Sequence, residues 1–454
     1  MMEKTVTEYL DQDYGNYAQY VIEHRAIPSV IDGFKPTQRK IIYIASKVWK
    51  GSSDKPLKIF QLGGKVASDA NYHHGDASLS SAIIAMAQSF KNSMPLLDEI
   101  GQFGSLRSPE AGAPRYISTK LNENFKLLYK DFELLENRYE EGVEIEPDYF
   151  LPIIPTVLLN GGSGIAVGFA TNILNRNPID LINACLKEIE GRTYHEPKPW
   201  FREFNGTCER DSVNSSTWIL SGKFEIKNTS TVHVSELPPS VTYEKYDKYL
   251  LEKEESREIA SYDDNSKSNI DYTLKFRRTD LERLSSSDRL KRFLKIEERQ
   301  SENLTVLDEN GKLKIFNNAK EIIKYFVKFR LNYYDKRKKY LIDSITEKLL
   351  VLSNKAAFIK AIIDGKLKIN NVPKATIVTW LEKAKFDKYE ASYNYLLSMP
   401  IHTLTKEKYE ELLAQKTERE VELKKIKATK PVDTYITDLE DLKKVLSKDK
   451  KYAK

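Results

Sequence analysis

The sequence has little cysteine and no long apolar run. Among 454 residues there are two cysteines, Cys185 and Cys208, without C-x-x-C spacing. A disulfide framework and a cysteine-based zinc site are therefore not expected. So few cysteines are typical of a protein in a reducing compartment. The sequence contains no run of about 18 apolar residues, the length that a membrane-spanning helix needs. The polar start MMEKTVTEYLDQDYGNY also lacks the apolar core of a signal peptide. We expect a cytoplasmic protein.

A nucleotide-binding loop is also missing. No G-x-x-x-x-G-K-[ST] P-loop occurs. VLLNGGSGIAVG would place a strand before Gly162 and Gly164, which could indicate a dinucleotide fold. However, Gly168 comes one residue too late for G-x-G-x-x-G, and the following FATNILNRNP has the composition of a loop. Dinucleotide binding stays an alternative that these two departures disfavour.

The composition is that of a globular protein of several domains. Hydrophobic residues make up 40% and charged residues 30% of the chain, so sizeable cores can form and two to four domains are expected. The net charge of +6 is small for this length. If the protein binds DNA, its basic residues must therefore be placed locally.

The first two thirds of the chain read as helices followed by an α+β unit. Residues 1–155 look compact and mostly helical, with Asp76 as the N-cap of DASLSSAIIAMAQSF. LPIIPTVLLNGGSGIAVG, from 151, is predicted to be rich in β-structure. Between 215 and 315, strand-like runs alternate with polar helices, and the turn DENG at 308–311 predicts a hairpin.

The last third reads as two long helices around a small module. From 319 the apolar residues follow three-and-four spacing, and neither proline nor glycine interrupts them before Gly365. Such a length predicts a projecting, antiparallel coiled coil. A compact module follows, and the polar helix KEKYEELLAQKTEREVELKKIKA then runs back toward Pro431. The final SKDKKYAK is predicted to be a solvated, frayed tail.

Residues 110–119, EAGAPRYIST, place an arginine beside a tyrosine in an otherwise bare stretch. An ordinary phenol is only about one part in a thousand ionised at pH 7, so a nucleophilic tyrosine needs assistance. A neighbouring guanidinium stabilises both a phenolate and the charge on a phosphate under attack. Tyr116 as nucleophile and Arg115 as its stabiliser are therefore candidates, although an exposed Arg-Tyr pair can also share a loop without any chemical role.

Two other stretches are candidates for binding phosphate. HRAIPSVIDGFKPTQRK brings four cations around two tight turns, namely Arg25, Lys35, Arg39 and Lys40. YHHGD places His73 and His74 just before a predicted helix N-terminus, where a histidine can donate to a phosphate. Consecutive histidines face apart and lack acidic or cysteine partners at ligand spacing, so no metal site is predicted.

Six motifs occur in a fixed order within 150 residues: RAIPSVIDGFKPTQRK, YHHGD, MAQSF, GQFGS, APRY and EPDYFLPIIPTVLLNGGSGIAVGFATNI. Together they resemble the DNA breakage-reunion subunit of type IIA topoisomerases, the family of gyrase A and eukaryotic topoisomerase II. IPSVIDG and YHHG look eukaryotic, whereas GIAVGFATNI looks bacterial. That mixture and the short length are similar to the phage members. The resemblance runs from about residue 5 to residue 446.

The resemblance implies roles for particular residues. Tyr116 matches the tyrosine that joins the 5′ phosphate of cut DNA, and Arg115 matches its transition-state stabiliser. Lys35 and His74 match positions that contact DNA at the cleavage site, and Ile165 matches the apolar wedge that parts two bases. Bacterial members carry two histidines separated by one residue; Tyr72 stands where the first would be, which leaves the role of His73 open.

The resemblance also implies an α+β multidomain architecture. Residues 1–155 would form a winged-helix DNA-cleavage domain, and 156–318 an α/β tower that bends DNA. Residues 319–436 would form a coiled-coil arm with a dimerisation knob near 365–404, and 437–454 a terminal helix and tail. Double-stranded DNA is the implied substrate and a homodimer the implied assembly, because each tyrosine cuts one strand.

The Mg²⁺ and ATP that the family uses are implied to lie on a partner chain. We find neither an EGDSA-like nor a DxD motif in a plausible setting, nor an ATPase domain. The large topoisomerase subunit, with TOPRIM and ATPase modules, is thus the expected partner. No wrapping repeat is present either, which favours relaxation and strand passage over supercoiling.

Two further alternatives remain. A non-catalytic DNA-binding coiled-coil protein would keep the basic turns and tolerate Tyr116→Phe. A tyrosine recombinase shares the phosphotyrosine chemistry, but its nucleophile lies near the C-terminus after dispersed basic residues, and the order of motifs here opposes it.

Overall fold

The computed structural model describes residues 5–50, 55–267, 269–284 and 287–452. The chain divides into two compact units. The first comprises Met1–Arg330 together with Ile436–Lys454, and the second comprises Leu331–Tyr435. The first unit contains all the predicted catalytic and DNA-contact residues. None of the helices in the described part of the chain is long and apolar enough to cross a membrane.

Five helices open the first unit. They are α1 (Val6–Glu8), α2 (Gly15–Val21), α3 (Pro36–Val48), α4 (Ile59–Asp69) and α5 (Asp76–Ala87). Turns of π-helix at Tyr9–Tyr14 and Ile22–Ala26 follow α1 and α2. The helices α3, α4 and α5 pack against one another through buried aliphatic side chains such as Ile41, Leu62 and Ile83.

The predicted cap of α5 lies one residue too late. Gly75 is the N-cap, with extended backbone angles, and Asp76 is the first helical residue. The Asp76 carboxylate still accepts a hydrogen bond from the Ala77 amide at 2.9 Å. An acidic residue in the first turn also suits the helix dipole, so Asp76 favours the helix start from inside it.

Short elements connect these helices to the middle of the chain. The strands β1 (Leu57–Lys58) and β2 (Ser118–Thr119) pair antiparallel, as do β3 (Asn137–Glu140) and β4 (Val143–Pro147). Between β2 and β3 lies α6 (Glu123–Leu128).

The apolar run after Pro155 differs from the prediction of a β-rich stretch. Its first part is a buried helical turn, α7 (Thr156–Leu159), and only then do β5 (Gly162–Ile165) and β6 (Ala170–Ile173) form an antiparallel hairpin. All four residues of α7 are buried. A short segment that is buried on every side has no polar face, so its pattern does not distinguish a helix from a strand.

The remainder of the first unit up to residue 316 mixes helices with antiparallel sheets. Its helices are α8 (Pro178–Ile189), α9 (Tyr243–Glu255), α10 (Arg278–Leu284) and α11 (Ser287–Phe293). The strands are β7 (Thr207–Arg210), β8 (Thr217–Ser221), β9 (Lys223–Asn228), β10 (Thr231–Glu236), β11 (Ser261–Asp264), β12 (Tyr272–Lys275), β13 (Glu297–Ser301), β14 (Leu304–Leu307) and β15 (Leu313–Phe316). The sheet orders are β13-β8-β7 and β11-β12-β10-β9. The predicted DENG hairpin is confirmed, because β14 pairs with β15 around it.

A long helix leads into the second unit. The helix α12 (Ala319–Ile363) has 45 residues and is about 68 Å long at 1.5 Å per residue. It is followed by α13 (Lys374–Lys383), α14 (Asn394–Leu397) and α15 (Lys406–Ala428). Leu412 in the first half of α15 packs with Ile359 near the end of α12. At the other end of α15, the carbonyl of Lys427 accepts a hydrogen bond from Lys338 of α12. The two long helices are therefore antiparallel.

A small hydrophobic core lies at the turn between the long helices. Its buried residues are Phe358, Ala361, Leu367, Ile377, Leu381, Tyr393 and Leu396. The last helix, α16 (Pro431–Leu446), follows α15 directly after Thr429 and Lys430.

The prediction of a frayed C-terminal tail is wrong for the residues up to 452. Tyr452 is buried, its ring centroid lies 6.2 Å from that of Trp200, and its carbonyl accepts a hydrogen bond from Asn177. Burial raises the pKa of the Tyr452 hydroxyl. One aromatic anchor thus fixes a lysine-rich segment that composition alone assigns to solvent. The last two residues lie outside the described residues.

Candidate active site

Tyr116 and Arg115 lie on the loop that enters β2. The Tyr116 side chain is 71% exposed, whereas its neighbour Ile117 is 3% exposed. The guanidinium carbon of Arg115 lies 5.8 Å from the centroid of the Tyr116 ring. The loop thus presents a phenol and a guanidinium together to solvent while a buried aliphatic side chain anchors it from below.

Hydrogen bonds from the start of α4 hold this loop. The Ile59 amide donates to the Ile117 carbonyl at 3.1 Å, and the Phe60 amide donates to the Pro114 carbonyl at 3.2 Å. The Lys58 ammonium donates to the carbonyl of Tyr116 itself at 2.8 Å. Lys58 is a site residue that the sequence analysis missed, because 58 positions separate it from Tyr116 and only the pairing of β1 with β2 brings them together.

Two glycines let the loop pack closely. A Cβ atom added at Gly101 or at Gly112 would lie 3.2 Å from the side chain of Ile117. The loop backbone therefore rests directly on its anchor, and we expect the position of Tyr116 to be well defined. Beside it lies an open groove between α5 and residues 109–115.

His74 lies against two tyrosine side chains. Its ring meets that of Tyr72 edge to face at 5.4 Å between centroids, and its Nε2 lies 3.4 Å from the Tyr20 hydroxyl. Tyr72 is buried, and burial raises the pKa of its hydroxyl. These contacts orient the His74 ring, although His74 is exposed. His73 beside it is exposed as well.

The hairpin β5–β6 carries Ile165 at its end. Ile165 is 88% exposed, so it is not part of the core beneath the strand. The Lys35 ammonium donates to the carbonyl of Ser163 at 2.7 Å, and partial burial lowers the pKa of Lys35. At Gly164 an added Cβ would lie 2.0 Å from the Ala26 carbonyl oxygen. The segment 26–35 therefore supports the strand from which Ile165 projects.

The side chains of Arg39 and Lys40 bind groups of the protein itself and are not available to phosphate. Arg39 is buried and donates two hydrogen bonds to Asp32, at 2.8 and 3.0 Å. The ammonium of Lys40 donates to the Ala70 carbonyl at 2.6 Å and to the buried Glu146 at 3.1 Å. Both cations thus support the fold internally, contrary to the prediction that they contact phosphate.

Arg25, by contrast, is exposed at the end of the π-helical turn Ile22–Ala26, where its charge acts on the hydroxyl of Tyr72. It therefore belongs to the same neighbourhood as His74.

The glycine-rich stretch does not form a dinucleotide-binding turn. Gly162 and Gly164 belong to β5, and a β-strand follows them where the dinucleotide fold requires a helix. The structure therefore overturns that alternative. Among the described residues, no group of three or more His, Cys, Asp or Glu side chains could hold a metal ion.

Comparisons with known proteins agree with this arrangement. A family model for the A subunit of DNA gyrase/topoisomerase IV matches residues 25–442. The chain is 34% identical over 440 residues to the DNA topoisomerase medium subunit of Enterobacteria phage T4, covering 96% of this chain and 98% of that protein.

Longer eukaryotic proteins and a solved structure are similar as well. The chain is 32% identical over 470 residues to the mitochondrial DNA topoisomerase 2 of Dictyostelium discoideum, covering 100% of this chain but only 36% of that protein. The crystal structure of the Plasmodium falciparum topoisomerase II DNA-binding, cleavage and re-ligation domain superposes with a TM-score of 0.87 at 31% identity, over 97% of this chain and 64% of that one. Because the family model spans most of the sequence and the phage relative matches it almost from end to end, the chain belongs to the DNA gyrase/topoisomerase IV A-subunit family of type II DNA topoisomerases.

Proposed function

We propose that this chain is the DNA cleavage and religation subunit of an ATP-dependent type IIA topoisomerase, with Tyr116 as its nucleophile. The observation that carries the proposal is the exposed phenol on an anchored loop, next to a guanidinium, in a chain of this family. Transient cleavage of both strands of one duplex would let a second duplex pass, which relaxes or decatenates DNA.

The cleavage step exchanges one phosphate ester for another. The Tyr116 hydroxyl loses its proton and attacks the phosphorus, so that an O–P bond forms to the 5′ phosphate while the bond to the 3′ oxygen breaks. The 3′ oxygen then takes up a proton. Arg115 stabilises the negative charge that develops on the phosphate oxygens. The phosphotyrosyl ester retains the energy of the original bond, so the reverse reaction reseals the strand without ATP.

Other residues of the first unit would hold and bend the DNA. We propose that Arg25, Lys35 and His74 contact the DNA backbone near the cut, since Arg25 and His74 are exposed and Lys35 is half-buried. Ile165 would insert between two bases and kink the duplex, at a cost of about a few kcal/mol for unstacking. Its 88% exposure at the end of a hairpin is what such an insertion requires.

The domain roles follow the same assignment. Residues 1–155 would act as the winged-helix cleavage domain and 156–318 as the tower, with 437–454 closing the chain on them. The antiparallel helices within 319–436 would form an arm whose small core, near 365–404, joins two copies into a homodimer. Two copies are required because each tyrosine cuts one strand.

Mg²⁺ and ATP would be held by a partner, the large subunit with the TOPRIM and ATPase modules. Two observations support this placement. The T4 relative is by name a medium subunit, and this chain spans only about a third of the length of the Dictyostelium enzyme. We place the assembly in the cytoplasm, that of the host if the chain is encoded by a phage.

A trapping assay tests the proposal. The chain, its partner and Mg²⁺ are incubated with duplex DNA labelled at either the 5′ or the 3′ ends, and the reaction is stopped with denaturant. Protein should stay attached to newly formed 5′ ends, and Tyr116→Phe should give no adduct. Tyr139→Phe is the matched control, because Tyr139 is also 71% exposed and should retain wild-type cleavage. If wild type and Tyr116→Phe both bind DNA but neither forms an adduct beside an active partner, the chain is a scaffold without cleavage chemistry.

A further inference from the structure

The two long helices carry a concentration of lysines at the end opposite the small hydrophobic core. Here the Lys338 ammonium donates to the carbonyls of Lys427 and Thr429, at 2.9 Å each. The rings of Tyr334 and Tyr435 stack nearby with their centroids 4.5 Å apart. These contacts bring 336–339 of α12 and 424–430 at the end of α15 together within the second unit.

Six lysines in these two stretches are exposed. We call them the basic patch: Lys336, Lys339, Lys424, Lys425, Lys427 and Lys430. None of the six forms an ion pair with a carboxylate in the described part of the chain. Lys336 lies over the ring of Tyr333 at 4.3 Å, which holds its charge in place without neutralising it.

The rest of α15 shows that this excess is local. Its six glutamates all precede the patch: Glu407, Glu410, Glu411, Glu418, Glu420 and Glu422. Some of them neutralise cations on the same helix, as in the pairs Lys408–Glu411, Lys416–Glu420 and Arg419–Glu422. A solvated helix normally interleaves both signs in this way. After Glu422 no acidic residue occurs until Asp433.

Clustered like charges repel one another, and a polyanion relieves that repulsion. Duplex DNA carries about one negative charge per 1.7 Å of its axis, and each phosphate that a lysine neutralises releases counterions. Lysines on two adjacent helices suit a backbone contact that does not depend on base sequence.

Resting on the proposed function, we propose that the basic patch is a second DNA-binding site, which takes the phosphate backbone of duplex DNA apart from the cleavage chemistry at Tyr116. The duplex it binds is either the one that is cut or the one that is passed, and both present the same chemistry. The patch then contributes to holding DNA but not to forming the phosphotyrosyl bond.

The test uses the full chain with its partner and a triple variant, Lys424→Gln/Lys425→Gln/Lys427→Gln. Glutamine keeps the helix propensity of lysine. The matched control, Lys406→Gln/Lys408→Gln/Lys416→Gln, removes the same charge from the other end of α15. A third variant with arginine at 424, 425 and 427 retains the charge and should behave as wild type. Equal unfolding curves establish that the variants are folded.

Three readouts are compared. The first is the dependence of DNA affinity on salt, whose slope should fall by about 0.9 for each phosphate contact removed, up to about 2.7 in the patch variant. The second is covalent cleavage of a short linear duplex, and the third is decatenation of linked circles. Loss of decatenation with cleavage intact assigns the patch to the passed duplex, whereas loss of both assigns it to the cut duplex.

Other results overturn the proposal. If the patch variant matches the control variant in salt slope and in decatenation, the lysines are a solvated face. If decatenation falls while the salt slope stays that of wild type, the patch serves the partner protein and not DNA. A failure of the proposed function is recognised separately, because wild type would then form no covalent adduct whatever the salt slopes show.

Discussion

Adding one methyl group beneath Ile165 tests whether the packing of the β5–β6 hairpin positions that side chain. In Gly164→Ala the new Cβ would lie 2.0 Å from the Ala26 carbonyl oxygen and 3.2 Å from the Lys35 ammonium. Heavy atoms in contact normally lie about 3.5 Å apart. The oxygen belongs to the backbone, so rotation of a side chain cannot relieve the clash and the hairpin must move by more than about 1 Å.

The expected cost follows from that displacement. Overpacking a tightly packed position lowers the free energy of unfolding by about 1–3 kcal/mol. Gly162→Ala, two residues earlier on the same strand, is the matched control, because its new Cβ would meet nothing within 4 Å. There the smaller entropy of the unfolded chain should raise the free energy of unfolding by about 0.4–1 kcal/mol. The two alanines should therefore change stability in opposite directions.

Function should follow the displacement as well. A shift of about 1 Å in a positioned group can reduce a reaction rate by about a hundredfold, so trapped cleavage by Gly164→Ala should fall by about tenfold to a hundredfold while Gly162→Ala stays near wild type. The measurements are denaturant unfolding and the denaturant-trapped cleavage assay. If both variants unfold and cleave alike, the close approach of Gly164 to Ala26 does not position Ile165, and the reasoning is refuted.

Two other predictions concern the side chains of Lys58 and Glu302. Lys58→Gln should slow cleavage by about threefold to tenfold, because the carbonyl of Tyr116 loses a charge-assisted hydrogen bond. DNA affinity should stay unchanged, and Lys65→Gln on the adjacent helix α4, measured in parallel by single-turnover cleavage, should have no effect. Burial opposes the ionisation of Glu302, but the charge and hydrogen bonds of Arg176 outweigh it and lower the pKa of Glu302. Its contribution to stability is thus present above the ordinary value of 4.5 and is lost as the pH falls through the lowered pKa. Glu302→Gln should lower the free energy of unfolding by about 3–5 kcal/mol at neutral pH and flatten the acid side of the stability profile; an unaltered acid profile would contradict the assignment.

Much of the architecture could be predicted from local patterns. The three-and-four spacing without proline or glycine predicted the long helix from 319, which ends at Ile363 beside Gly365, and DENG predicted the β14–β15 hairpin. Such features depend on neighbours in the chain, so composition and spacing suffice to find them. The cap of α5 was displaced by one residue, since Gly75 and Asp76 are both acceptable at a helix start.

The site was predicted in outline but not in its supports. The stretch EAGAPRYIST and the order of the motifs singled out Tyr116 and Arg115 as candidates, and the family resemblance added Ile165; the structure places Tyr116 and Ile165 in solvent. The same motifs suggested that Arg39 was a phosphate contact, because a buried and an exposed arginine have the same sequence letter. Its burial depends on how the loop containing Asp32 folds back over it.

By itself, the sequence determined the family, the long helices and the candidate nucleophile, because each of these follows from residues that lie close together or in a fixed order along the chain. Only the tertiary structure decided that Lys40 supports Glu146, that Lys58 holds the loop of Tyr116, and that Tyr452 anchors the tail. In each case the partner is remote in sequence. Lys40 and Tyr452 are also largely removed from solvent, whereas Lys58 stays exposed. Whether a cation binds DNA or stabilises the fold depends on which groups the folded chain brings within hydrogen-bonding distance of it.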